Sequence, residues 1–136
     1  MLQSLNVLFF VLHTLLIAFN CVGWAWRRTR PWHLATIGVT ALSWFVLGYW
    51  YGWGYCVCTD WHWQVREQLG YPYDPSYTHL LFKEITGIDA APWLADAVTG
   101  GVFAGVVVLS AVLNARDFLR GRRGAAPSDA RRGAVR

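Results

Sequence analysis

Three stretches of the chain carry almost no charge: residues 4–26 and 33–54 contain no Asp, Glu, Lys or Arg, and residues 92–114 contain only Asp96. An α-helix rises ~1.5 Å per residue, so each run has about the ~20 residues needed to cross ~30 Å of hydrocarbon. Lipid offers a bare backbone no hydrogen-bond partner, so a spanning run of this length must be helical and needs no polar outer face. The pattern predicts an all-α integral membrane bundle of three transmembrane helices, over about 4–26, 33–54 and 92–114. The first run lacks a basic leading segment and a small-residue cleavage site, and it is long for a signal peptide. It is expected to remain as the first helix.

Between the second and third runs the pattern changes to short amphipathic segments, which predict an ordered cap over residues 55–91. Thr59 or Asp60 can cap a helix in which Trp61, Val65 and Leu69 form one stripe, stopped by Gly70. "YPYDPS" at 71–76 is turn chemistry. Ser76 can cap a second helix with Tyr77, Leu80, Leu81 and Ile85 inward and Gly87 at its end. Both helices are expected to lie flat on the outer surface. Residues 1–120 then form a single membrane domain, and residues 121–136, rich in Gly, Ala, Pro and Arg, a disordered basic tail.

Charge orients the bundle. Arg27, Arg28 and Arg30 separate the first two runs, and seven arginines from Arg116 to Arg136 follow the third; the cap holds only Arg66 and Lys83 against five acids. The positive-inside bias places the amino terminus and the cap outside and the carboxyl terminus in the cytoplasm. Aromatic residues agree, because indole rings favour the headgroup level. Trp24, Trp26 and Trp32 bracket the arginine loop, while Trp50, Trp53, Trp61, Trp63 and Trp93 collect at the opposite rim. In a chain of 136 residues that is 55% apolar and 15% charged, the net charge of +4 is therefore an orientation signal. The expected partner is the lipid bilayer, and no nucleic acid is expected.

Candidate chemistry falls in two places. Asn6, His13 and Asn20 stand seven residues apart on nearly one helix face, a buried polar stripe. In an antiparallel hairpin His13 comes level with Ser43, and Asn20 with Thr36 or Thr40. The stripe serves either interhelical hydrogen bonding or a polar pocket for a proton, metal or ligand. In the cap, Cys56, Cys58 and His62 form C-x-C-x-x-x-H, with His79 available as a fourth donor. Thiolate and imidazole suit copper or zinc, although paired zinc cysteines usually stand farther apart. The same cysteines can instead form a strained, redox-active disulfide in an oxidising compartment, or stay as packed free thiols. Asp96 in the first turn of the third helix and His33 at the cytoplasmic rim read as structural, and only His62 and His79 stand on the same side as a haem pair would. No serine nucleophile motif, phosphate-cradling glycine loop or carboxylate pair is present, so no catalytic set is defined. Ala97, Gly101 and Gly105 repeat every four residues, as do Gly48 and Gly52. Such spacing lets helices approach closely, within one chain, in a homo-oligomer or against a membrane partner.

The "LH" pair at His13, the basic turn followed by His33-Leu34, the aromatic end of the second run leading to Cys56 and Thr59, and His79 before apolar residues together resemble a family of small bacterial membrane proteins of unknown function. The resemblance covers roughly residues 5–110. It supports the architecture only and supplies no activity; the place expected from the apolar runs and the arginines is a bacterial inner membrane, crossed more than once. Members tend to read C-P-L-T where this chain reads "CVCT", so Cys58 and His62 are additions that the resemblance does not explain. The expected role is a structural or accessory membrane subunit; the alternative is a redox or metal-binding protein using Cys56, Cys58, His62 and His79.

Overall fold

The computed structural model describes residues 1–124, apart from the side chains of 122–124. It is all-helical, with no strand among the described residues. The helices are α1 (Leu2–Val22), α2 (Arg30–Tyr51), α3 (Val57–Gln68), α4 (Tyr77–Thr86) and α5 (Pro92–Gly124). Three of them, α1, α2 and α5, are long and apolar enough to cross a membrane, as the hydrophobic pattern predicts. Pro31 opens α2, where its fixed φ suits a first turn and its missing N–H costs nothing. Within α2, Ser43–Leu47 is a π-helical stretch, a local widening that is frequent at functional sites. α5 runs ten residues beyond Asn114 to Gly124, because Arg and Leu are good helix formers and no proline intervenes. The first four residues of the expected tail are thus helical; the rest lie outside the described residues.

The turn between α1 and α2 is fixed by hydrogen-bond accounting. A helix leaves its last four carbonyls without internal partners, and bare carbonyls are costly in lipid. Here each finds a donor: Gly23 N–H reaches Phe19 O at 2.7 Å, Ala25 N–H reaches Val22 O at 3.0 Å, the Trp24 indole N–H reaches Cys21 O at 2.7 Å, and His33 Nε2 reaches Asn20 O at 2.9 Å. His33 is fully buried at the arginine end of the bundle, in a structural role. Facing a carbonyl, Nε2 carries the proton, so Nδ1 accepts from Ser110 Oγ on α5 at 3.0 Å. Gly23 is required for this approach, since a Cβ there would stand 2.8 Å from His33 Cδ2.

The same end of α5 is tied on by polar residues that share one helix face. Ser110 holds His33, Asn114 Nδ2 donates to Arg30 O at 3.4 Å, and Asp117 pairs with Arg30 at 2.7 Å and Arg27 at 3.3 Å.

At the other end α3 does not lie flat. Its partners on α1 run backwards as α3 proceeds: Thr59 meets His13, and His62 meets Asn6, with Tyr71 just beyond α3 reaching Gln3. α3 is thus an antiparallel fourth column along the first half of α1. Its N-cap is Cys56 with no side-chain bond, so the expected caps Thr59 and Asp60 sit inside the first turn instead. The inward pair is His62 and Val65, whereas Trp61 is 55% exposed. The expected Trp61 stripe is rotated because the surface that α3 meets on α1 carries the polar Asn6. α4 follows the sequence more closely: Ser76 Oγ accepts from His79 N–H, and Gly87 takes the left-handed conformation at φ 70° that ends the helix. Tyr77 and Leu80 are buried as expected, while Ile85 points outward.

Candidate functional site

The loop after α2 returns along the helix it has left, and Ser43 Oγ donates to Tyr55 O at 2.9 Å. With the starts of α3 and α4 it roofs a cavity of about 520 Å³ between α1, α2 and α5. That volume lies within the ordinary range for small-molecule pockets, ~300–1,000 Å³. The walls are Leu16 and Ile17 on α1, Trp44 on α2, and Val102, Phe103 and Val106 on α5. Trp44 and Phe103 close one side with ring centres 4.6 Å apart.

Polar groups gather at both ends of this apolar belt. Under the roof, His13 is buried and stacked on Tyr77, ring centres 3.9 Å apart and planes within 10°. Tyr77 is held from both sides: its hydroxyl donates to Phe10 O at 2.7 Å and so accepts from Thr14 Oγ1 at 2.9 Å. His13 itself is held loosely, its Nδ1 3.4 Å from Thr59 Oγ1. Thr59, Asp60, Ser76, Thr78 and Thr99 complete the roof end. At the far end Asn20 and Thr40 line the cavity, joined Nδ2 to Oγ1 at 3.2 Å. Asn20 Oδ1 is a buried acceptor with no donor. Asn20 thus meets Thr40 as expected, whereas His13 meets Thr59 and Tyr77 in place of Ser43.

The expected metal set does not assemble. Cys56 and Cys58 are half-buried free thiols, and Cys56 lines the cavity. Burial, then the neighbouring Cys56, pushes the Cys58 thiol up, away from the reactive thiolate. His62 faces α1, where Nε2 donates to Asn6 Oδ1 at 2.9 Å. Burial, then the Arg66 charge, pushes its imidazole down to about 4. His79 faces the opposite way, with Nε2 on Ala90 O at 2.9 Å and Asp89 at 3.0 Å. Among the described residues no group of three or more His, Cys, Asp or Glu is placed to hold a metal ion, copper and zinc included. His62 and His79 each commit Nε2 to a different partner, and Cys56 and Cys58 remain free thiols.

Several important residues lay outside the sequence-based expectations. Asp74, read only as part of a turn, is 3% exposed and holds the cap together through Arg66 at 3.0 Å, Lys83 at 3.6 Å and His79 Nδ1 at 3.7 Å. The Arg66 guanidinium also lies 4.9 Å from the Tyr71 ring centre. Nothing local in the sequence marks that pairing. Ser110, Asn114 and Asp117, by contrast, fall at i, i+4 and i+7, a readable polar face inside an apolar run. The small-residue stripe meets no neighbour among the described residues: a Cβ added at Gly101 or Gly105 would have nothing within 4 Å. Gly48 does permit a close approach, with Trp53 Cα 3.4 Å from its would-be Cβ.

Fold and site together define a small helical bundle with three membrane-length helices and a half-open cavity beneath the cap, apolar at the waist and polar at both ends. The family model described as a protein of unknown function, DUF2784, matches residues 3–115, and the chain belongs to that family. No curated protein and no solved structure matches the chain.

Proposed function

We propose that the protein is a multi-pass accessory protein of a bacterial inner membrane that binds a lipid-soluble molecule in the cavity beneath its cap. The observation that carries this is the cavity itself: about 520 Å³, walled by Leu16, Trp44 and Phe103, with His13 and Asn20 at its two ends. Polar side chains in a membrane span ordinarily satisfy one another across helices. Here His13 has one long bond and Asn20 Oδ1 none, so the polar ends of the cavity are incompletely partnered. The arginine distribution supports a cytoplasmic α1–α2 turn and an external cap.

The test is extraction of the full-length protein, purified in mild detergent, followed by mass spectrometry of the organic phase. Wild type is expected to carry about one nonpolar molecule per chain, as a pocket of this size admits. Val102→Trp, which fills the waist, is expected to lose it while keeping its helical circular dichroism. Equal recovery from both, or nothing above a detergent blank, would refute the binding role.

The open Ala97, Gly101 and Gly105 face of α5 supports contact with a second helix outside this chain, either another copy or a membrane partner. Gly101→Leu is expected to lower the mass of the protein–detergent complex in light scattering. An unchanged mass would remove this contact from consideration.

A further inference from the structure

The lining of the cavity restricts the chemistry of what it holds. No lysine or arginine is among the described lining residues, and Asp60 is the one that carries a formal charge. Arg66 and Lys83 are paired with Asp74, and Arg27 and Arg30 with Asp117 at the far end of the bundle. A phosphate or carboxylate entering this space would gain no counter-charge from the lining and would face the Asp60 carboxylate. A desolvated ion without a partner is disfavoured.

The roof end instead presents neutral groups that both give and accept hydrogen bonds: the Thr59, Ser76 and Thr78 hydroxyls and the His13 ring. Hydroxyl groups on a ligand match such a set whichever tautomer His13 adopts, because each hydroxyl donates once and accepts twice. Below them the belt of Leu16, Ile17, Trp44, Val102 and Phe103 suits an alkyl or isoprenoid chain.

We propose that the occupant is an uncharged, hydroxyl-bearing amphiphile, its head against His13 and Thr59 beneath the cap and its chain along the α1–α5 wall, and that anionic lipid heads are excluded. This rests on the binding role proposed above and adds the class of ligand.

A matched pair of probes separates the two claims: monolaurin, and lauroyl lysophosphatidic acid, which shares its chain and glycerol but adds a phosphate. Both are titrated against the full-length protein in detergent and read by native mass spectrometry. Monolaurin is expected to bind about tenfold or more tightly than its phosphorylated counterpart, a gap of ~1.4 kcal/mol. Thr59→Val, nearly unchanged in shape, and His13→Gln, which keeps a polar group, are each expected to weaken monolaurin several-fold with melting temperature retained. Equal or tighter binding of the phosphate form overturns charge exclusion while leaving the cavity's binding role intact. Undiminished monolaurin binding in both variants overturns the placement of the head. Failure of both probes, with no molecule recovered by extraction, overturns the binding role and the ligand class together.

Discussion

Each end of the bundle buries a histidine, His33 of α2 at the arginine end and His13 of α1 at the cap end, and the two are treated differently. At the arginine end His33 has both ring nitrogens bonded, to Asn20 O at 2.9 Å and Ser110 Oγ at 3.0 Å, and the surrounding carbonyls are all matched. At the cap end His13 has one bond of 3.4 Å and a neighbouring cavity. A polar group that is fully partnered in an apolar setting holds helices together; one left partly open is positioned to meet something else. Residue type does not separate a structural histidine from a ligand-facing one. An open bonding position that borders a cavity, as at His13, does.

Substitutions can break that contrast. The largest effect is expected at Asp74, whose carboxylate is 3% exposed and paired with Arg66. Asp74→Ala should destabilise the fold by ~3–5 kcal/mol, since it leaves a guanidinium with no counter-ion in a buried site. Denaturant titration in detergent micelles reads this, and a loss below ~1 kcal/mol would show that Arg66 is solvated without its partner. Next comes His33→Leu, which strips the donor from Asn20 O and the acceptor from Ser110. A loss of ~1–3 kcal/mol is expected in the same titration, with ligand retention unaffected. If His33→Leu released the bound molecule and His13→Gln did not, the roles of the two ends would be reversed.

The smallest effect is a slope against pH. His62 titrates near 6.5 when unfolded but is pushed down to about 4 in the fold. The unfolded chain therefore binds the proton first as pH falls, so stability is fully present above about 6.5 and drains away toward about 4. His62→Gln, which keeps a donor for Asn6 Oδ1 and does not titrate, should flatten that part of the curve. Melting temperature across the interval distinguishes the two, and an identical slope in the variant would assign the acid sensitivity elsewhere.

The membrane-length helices were legible because bilayer thickness imposes a length that any apolar run must meet. The Asn20–Thr40 contact was legible too, since antiparallel helices joined by a short turn have a calculable register. The cap was not. Which way α3 turns depends on what α1 offers it, and Asn6 draws His62 inward while Trp61, the more apolar residue, is left 55% exposed. The cysteine pair drew attention as possible ligands because C-x-C with nearby histidines matches metal chemistry by type. Metal binding also needs convergence in space, and His62 and His79 are turned to different partners. The roof end of the cavity combines Thr59, Ser76, Tyr77 and Thr99 from three helices and a loop, a grouping that no linear spacing reveals.

The seal at the end of α1 has a temporal side. Its side-chain donor from α2, His33, lies 13 residues downstream of Asn20, while the last contact of that imidazole, Ser110, lies 77 residues farther on. A ribosome delivers the first hairpin with its backbone already matched, well before the final helix exists. Entry of α5 then adds a clasp to a finished pair instead of rescuing an incomplete one.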